Sequence, residues 1–311
     1  MPSWFARLEN RANFSGEIRE NEPLARHTYY RIGGPARYLM VPRTLADLDW
    51  IAEGLRSDPL PFQVIGLGSN FLVSDEGFPG VVIKLTRVAP EIERISPQRL
   101  RTGASVAVST LLRRAAQEGW GGLEFLAGVP GSMGGVIAMN AGTHLGEAKD
   151  RVVAVEAVQV LGEEAGRRYR FEGAALKFEY RRNLFLPLGA WVTACEWEIS
   201  PEEPAALKAG LDQLLARRKA TQPVDFPSCG SVFKNPKAHG LHAWQVLDRI
   251  GMRGQRIGDA QVSEKHSNFI INLGQARAID VKALIDMAKQ RAREQMGIEL
   301  EEEVKLLGHF S

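Results

Sequence analysis

Two glycine-rich stretches, GLGSN at residues 66–70 and VPGSMGG at residues 129–135, carry the residue types that can hold an anion through the backbone alone. Glycine lacks a Cβ, takes φ > 0 readily and lets main-chain N–H groups approach a phosphate closely. The second stretch belongs to a longer run, GGLEFLAGVPGSMGGVIAMNAG, with seven glycines and a proline in an otherwise apolar segment. An ordinary turn between two buried strands uses the same residues, so either cluster alone leaves both readings open. Neither stretch is a Walker A loop, because no GK[ST] follows. GLGSNF also lacks the third glycine of GxGxxG and runs into no convincing helix. What remains is a non-Rossmann nucleotide site in which both turns offer N–H groups and Ser69 and Asn70 add side-chain donors, a combination suited to the diphosphate of FAD.

Three further clusters could do chemistry. FEYRRNLF places Tyr180 beside Arg181, and a surface arginine pair flanking a core aromatic is the plainer reading. PSCGSVFKNP sets Ser231 after a glycine, followed by Lys234 and Asn235; no histidine is near in sequence and no GxSxG elbow is present, so a hydroxyl proton donor fits better than a hydrolase nucleophile. The run Glu301–Glu303 in EEEVKLLG reads by itself as a solvated face.

At 311 residues the chain exceeds the usual single core, so two or three domains sharing a cleft are expected. A hydrophobic fraction of 44% and a charged fraction of 24% describe an ordinary globular chain. With 39 Lys+Arg against 37 Asp+Glu the net charge is +2, too balanced for nucleic-acid or membrane binding by bulk electrostatics. The N-terminal stretch MPSWFARLENRANFSGEIREN is charged throughout and has no apolar leader region, so a cytoplasmic location is expected. Cys195 and Cys229 lack zinc-site spacing and are expected to be free thiols, with no metal site.

The elements that must position these groups follow from periodicity. HTYYRIGGPARYLMVP reads as strand, Gly-Gly turn, strand. Thr44 caps a helix with Leu45, Leu48, Ala52 and Leu55 on one face and Asp47 completing a capping box. PFQVI is a strand, FLVSDEGFPGVVIKL is strand, turn, strand, and residues 111–118 form a short helix stopped by Gly119. RVVAVEAVQVLG is apolar on both faces and suits a covered strand, joined by antiparallel strands around Tyr169 and over residues 190–199. Connections this short exclude a Rossmann sheet from the middle third. PEEPAALKAGLDQLLARRKATQP is a helix with an acidic start and a basic end. A helix at residues 243–249, a strand at SNFIINLG and a helix at residues 281–296, with Asp280 as its N-cap and Gly297 as its stop, follow.

Taken together the chain resembles the UDP-N-acetylenolpyruvoylglucosamine reductases, also called UDP-N-acetylmuramate dehydrogenases. The matching segments are TYYRIGGPA, VIGLGSNFLVSD, GLEFLAGVPGSMGG, MNAG, YRRNLF, CGSVFKNP, VSEKHSNFIIN and EEEVKLLG, in order over nearly the whole chain. The resemblance implies an α+β fold: a two-part FAD-binding region of the vanillyl-alcohol oxidase-like (PCMH) type, plus a C-terminal α+β substrate-binding domain. The expected parts are 1–86, 87–202 and 203–311, with residues 298–311 returning to the active site. It implies an enzyme of peptidoglycan precursor synthesis that uses FAD and NADPH to reduce UDP-N-acetylglucosamine enolpyruvate to UDP-N-acetylmuramate, and a monomeric or weakly associated protein is expected. By similarity Arg181 and a protonated Glu303 flank the substrate carboxylate, and Ser231 protonates the α-carbon. Cofactor contacts carry over to Gly66, Gly68, Ser69, Asn70, Pro130, Gly131, Ser132, Gly134, Gly135, Asn140 and Gly142, and substrate contacts to Tyr180, Lys234, Asn235 and His266. The short NLFLPLGAWV excludes an insertion by which one branch covers the substrate with a tyrosine; Gln222 stands where that branch has a lysine, Cys229 where alanine is common, and His144 where tyrosine is frequent. A flavin oxidase of the same fold and a non-catalytic nucleotide-binding module are the two rival readings.

Overall fold

The computed structural model describes residues 13–310; the first part of the charged N-terminal stretch, residues 1–12, lies outside them. Along the chain run β1 (Glu17–Pro23), β2 (Pro35–Val41), α1 (Leu45–Ser57), β3 (Phe62–Ile65), β4 (Phe71–Val73), β5 (Phe78–Lys84), β6 (Ile92–Ser96), β7 (Arg99–Gly103) and α2 (Val108–Glu118). There follow α3 (Met133–Ala138), β8 (Val152–Gln159), β9 (Arg168–Glu172), β10 (Phe178–Glu179), β11 (Arg182–Asn183), β12 (Ala190–Glu198) and α4 (Pro204–Thr221). The last part carries α5 (Ala243–Arg249), β13 (Arg256–Ile257), β14 (Ala260–Val262), β15 (Ile270–Asn272), α6 (Ala278–Met296) and β16 (Lys305–Leu307).

The chain divides into two compact units, each assembled from separate segments. The first comprises Met1–Arg19, Tyr38–Leu67 and Gly80–Leu215; the second comprises Glu20–Arg37, Gly68–Pro79 and Ala216–Ser311. In the first unit one apolar core gathers Phe14, Met40, Leu48, Ile51, Val81 and Trp191. Another gathers Leu100, Leu111, Phe125, Met133, Val155 and Trp197. The largest sheet has the order β9-β8-β12-β7-β6 and is antiparallel throughout, as the short connections predict. One face is buried, where Trp197 is fully enclosed and donates Nε1–H to Thr102 Oγ1 at 3.0 Å. The other carries an ionic lattice, Arg101–Glu156 at 2.6 Å and Arg170–Glu196 at 2.8 Å. The core of the second unit is drawn from distant segments: Tyr30, Ile32 and Leu72 pack with Val232, Phe233, Leu247, Leu284 and Ile285.

The capping box of α1 forms as expected, with Asp47 N–H donating to Thr44 Oγ1 at 3.1 Å and Thr44 N–H to Asp47 Oδ2 at 2.9 Å. α2 begins three residues early, at Val108, and ends at Gly119 with φ +69°. Two expectations change. HTYYRI is no strand: Leu24–His27 is a 3-10 turn, Arg31 has φ +56°, and Tyr30 is fully buried. Thr28 Oγ1 closes the segment locally on Ile32 O at 3.0 Å. The strand lies earlier, in the charged EIRENEP, where side-chain polarity is tolerated because several positions are exposed. α6 also starts early, at Ala278, and Asp280 sits inside its first turn, paired with Arg277 at 2.7 Å. The cap comes from Asp75, whose two carboxylate oxygens accept from Ala278 N–H at 2.8 Å and Ile279 N–H at 3.0 Å. A carboxylate at a helix N-terminus satisfies orphan donors and favours the helix dipole, wherever in the sequence it comes from.

Candidate functional site

In the first unit the glycine turns meet. A Cβ on Gly66 would lie 2.5 Å from Ser132 Oγ and would turn that hydroxyl out of its place, so the end of β3 runs close against the VPGSMGG turn. Gly131 has φ +126°, and among the described residues its N–H and that of Ser132 donate to no backbone carbonyl. The turn is anchored on either side of them, by Val108 N–H to Gly131 O at 3.0 Å and Met133 N–H to Val106 O at 2.9 Å. Gly134 lies against Ala104, while a Cβ on Gly135 would meet only Ser132 Oγ, at 3.8 Å. N–H groups that no backbone carbonyl of the described residues takes, on a fixed glycine-rich turn with Pro130 before them, fit a diphosphate. In this sense the residues fit FAD.

Asn140 and Gly142 shape the region. Asn140 is fully buried with φ +41°, and both its amide hydrogens are committed, to Glu147 Oε2 and Glu179 O at 3.0 Å each. Its Oδ1 accepts from Lys149 N–H at 3.0 Å. Gly142 is required because Gly146 O passes 2.0 Å from where its Cβ would be. The bond to Glu179 bears directly on the next candidate. Tyr180 and Arg181 are the two central residues of the β10–β11 hairpin, with Glu179 paired to Arg182. Arg181 has φ +59°, at a turn position where a type II geometry normally uses glycine. Its guanidinium lies 5.2 Å from the Tyr180 ring centroid, and Asn183 Nδ2 ties the hairpin to Ala138 O of α3 at 3.1 Å. A bulky residue held in the left-handed region marks a position selected for its side chain rather than for backbone comfort.

The second unit holds the other half of GLGSN with the remaining candidates. Gly68 has φ +70°, and a Cβ there would stand 2.1 Å from His27 O. Ser69 and Asn70 follow; Asn70 Nδ2 donates to Glu303 O at 3.0 Å, and Asn70 O accepts from Lys305 N–H at 2.9 Å. β16 continues from there as a parallel partner of β4. Glu303 N–H in turn donates to Val232 O at 2.8 Å, which brings the segments of Ser231 and Glu303 side by side. Both side chains are half-buried. Beside them, burial pushes the Cys229 thiol up to about 12, and the Glu303 carboxyl adds to the shift. Both cysteines are free and buried.

The other substrate candidates are already engaged. Lys234 Nζ pairs with Glu301 Oε1. Asn235 Oδ1 accepts from Ala243 N–H at 3.0 Å, capping α5. His266 Nδ1 accepts from Asn268 N–H at 3.3 Å, its ring stands edge-on to Phe269 at 5.0 Å, and burial lowers its pKa. Sequence reasoning missed Arg218 at the C-terminal end of α4. Its half-buried guanidinium makes no hydrogen bond or ion pair among the described residues, and burial lowers its pKa. One turn on, Gln222 Oε1 is buried with no hydrogen-bond partner among the described residues. The basic helix end had a sufficient explanation in the helix dipole, which hid a cation in want of an anion.

Comparison with known proteins points to one family. A family profile described as FAD binding domain matches residues 36–165, and one described as UDP-N-acetylenolpyruvoylglucosamine reductase, C-terminal domain matches residues 222–307. The chain is similar to UDP-N-acetylenolpyruvoylglucosamine reductase 2 of Symbiobacterium thermophilum, 40% identical over 303 residues that cover 97% of this chain and 96% of that protein. To the Heliobacterium modesticaldum reductase it is 41% identical over 296 residues, covering 95% and 92%. Among solved structures, UDP-N-acetylenolpyruvylglucosamine reductase from Thermus caldophilus matches with a TM-score of 0.75 at 34% identity, over 94% of this chain and 99% of that one. The expected α+β class, with an FAD-binding region and a C-terminal domain, is borne out.

Proposed function

Because the chain belongs to the UDP-N-acetylenolpyruvoylglucosamine reductases, an FAD-dependent oxidoreductase family, we propose that it reduces the enolpyruvyl ether of UDP-N-acetylglucosamine enolpyruvate to UDP-N-acetylmuramate with NADPH. When bound, FAD supplies the hydride-transfer chemistry that links NADPH to the vinyl terminus of the substrate. One hydride and one proton complete the two-electron reduction of the carbon–carbon double bond.

The chain's own residues manage charge and the proton. By the family resemblance Gly66, Gly68, Ser69, Asn70, Gly131 and Ser132 hold the cofactor through backbone and short side chains. Arg181 is the permanent cation for the substrate carboxylate, and a protonated Glu303 donates to its enolic oxygen as negative charge develops. One such donor contributes about 3–4 kcal/mol to lowering the barrier. Ser231 delivers its hydroxyl proton to the α-carbon and is reprotonated from solvent. Arg218 binds the substrate diphosphate, and Tyr180, Lys234, Asn235 and His266 are the substrate contacts that the resemblance carries over. The reading places the enzyme in peptidoglycan precursor synthesis, as a three-part cytoplasmic monomer that handles no nucleic acid.

The observation that carries this reading is the hydrogen bond from Glu303 N–H to Val232 O at 2.8 Å, which sets the proposed proton donor and its acidic partner on neighbouring segments. The test separates the two half-reactions of Ser231→Ala. NADPH should still bleach the bound flavin, while reoxidation by the enolpyruvyl nucleotide slows roughly 100- to 10,000-fold. Turnover near that of the parent protein would refute the assignment of Ser231.

A further inference from the structure

We infer that Asn268 is the residue that positions Ser231 for proton delivery, by acting as a one-residue substitute for a neighbouring strand. The inference rests on the reading of Ser231 as the proton donor. Residues 231–235 form no helix or extended strand, so regular structure does not place the hydroxyl. Yet Val232 and Phe233, which follow it, are almost entirely enclosed, at 1% and 2% exposure. Their backbone polar groups must therefore find partners within the protein.

Three of the four find them on Asn268. Val232 N–H donates to Asn268 O at 2.9 Å, Phe233 N–H donates to Asn268 Oδ1 at 3.0 Å, and Asn268 Nδ2 donates to Phe233 O at 2.9 Å. The fourth, Val232 O, accepts from Glu303 N–H. The segment after Ser231 is thus gripped on one side by Asn268 and on the other by the backbone of Glu303, so it cannot shift without leaving a buried group unpaired.

The residue type matters. A carboxamide offers an acceptor and a donor at the spacing of a peptide group, and so pairs with the N–H and C=O of one residue at once. Aspartate would turn one oxygen against Phe233 O, and alanine would leave both groups bare. Asn268 is itself fixed: it is 4% exposed, its N–H meets His266 Nδ1, and it leads directly into β15 through Phe269. Catalytic groups are sensitive to such placement, since a displacement of about 1 Å costs about 100-fold in rate.

The test uses flavin-loaded protein and stopped-flow absorbance on Asn268→Ala, Ser231→Ala and the double variant. Asn268→Ala should leave bleaching by NADPH and the affinity for the enolpyruvyl nucleotide within about threefold of the parent, while reoxidation by that nucleotide slows about 100-fold. Added to Ser231→Ala, it should cost no more than about a further twofold, because the group it positions is already gone. Asn268→Asp, which keeps the acceptor and loses the donor, should fall between, and it carries the comparison if the alanine variant does not fold. Losses that multiply in the double variant, or that strike both half-reactions alike, would overturn the positioning role. So would an Asn268→Ala that reoxidises normally while Ser231→Ala does not. Normal reoxidation in Ser231→Ala would instead bring down the proton-donor reading itself, and this inference with it.

Discussion

Arg181 occupies a backbone position suited to glycine, with φ +59° in a two-residue hairpin turn, and an L-residue held there costs about 1–2 kcal/mol. The cost is tolerable because Asn140, through Glu179 O, and Asn183, through Ala138 O, hold the hairpin from both sides. Replacing Arg181 by glycine should therefore leave the urea midpoint unchanged or raise it, by up to about 1 kcal/mol, while abolishing reoxidation by substrate. A variant that is inactive because it is unfolded would contradict this. His266 makes a prediction about pH. Burial lowers its pKa in the folded protein, so the unfolded chain takes up the proton first as pH falls. Its contribution to stability is complete above the ordinary histidine value of about 6.5 and is lost below it, between that value and the lower folded one. Denaturation measured from pH 7.5 to 5 should lose stability in this window, and a His266→Phe variant should lose less. At this scale Arg181, Ser231 and Glu303 were named through the family resemblance, and FEYRRNLF by itself read as a surface arginine pair. From its own run of glutamates Glu303 reads as a solvated face, because a partner such as Asn70, whose Nδ2 bonds the Glu303 carbonyl, lies 233 residues away.

At the scale of elements, local signals were read well and remote ones were not. The Thr44–Asp47 capping box and the left-handed Gly119 and Gly297 stops involve residues within one turn, and each was visible in the sequence. The true start of α6 depends on Asp75, some 200 residues upstream, and no local pattern could reveal it. Asp75→Ala should destabilise the protein by about 1 kcal/mol, the usual cost of removing an N-terminal cap. Asp75→Asn, which keeps one acceptor, should lose less; equal stability of all three forms in denaturant titrations would show that the cap is idle. HTYYRI misled for a related reason: aromatic and β-branched residues suggest a strand, but here Tyr30 fills the core of the second unit from a turn.

At the scale of the molecule, neither unit is one continuous piece of chain. The second needs Tyr30, Ile32 and Leu72 from the N-terminal part to complete its core, and β4 to pair with β16. Residues 216–311 expressed alone should therefore show helical circular dichroism but no cooperative thermal transition; a sharp two-state melt would refute the point. A charge balance of +2 and sequence motifs predicted the class of molecule, but not this interleaving. Composition carries no order of segments in space.

The parallel pairing of Lys305–Leu307 with Phe71–Val73 has a consequence for biosynthesis. During translation the strand after GLGSN emerges early, and its partner is made only after more than two-thirds of the chain has followed. Loop closure over that span must precede the contact that rewards it, so this sheet closes late. Until then the edge of Phe71–Val73 stands open, and a nascent chain is most exposed to misassociation at the place where the finished enzyme joins Asn70 to Glu303.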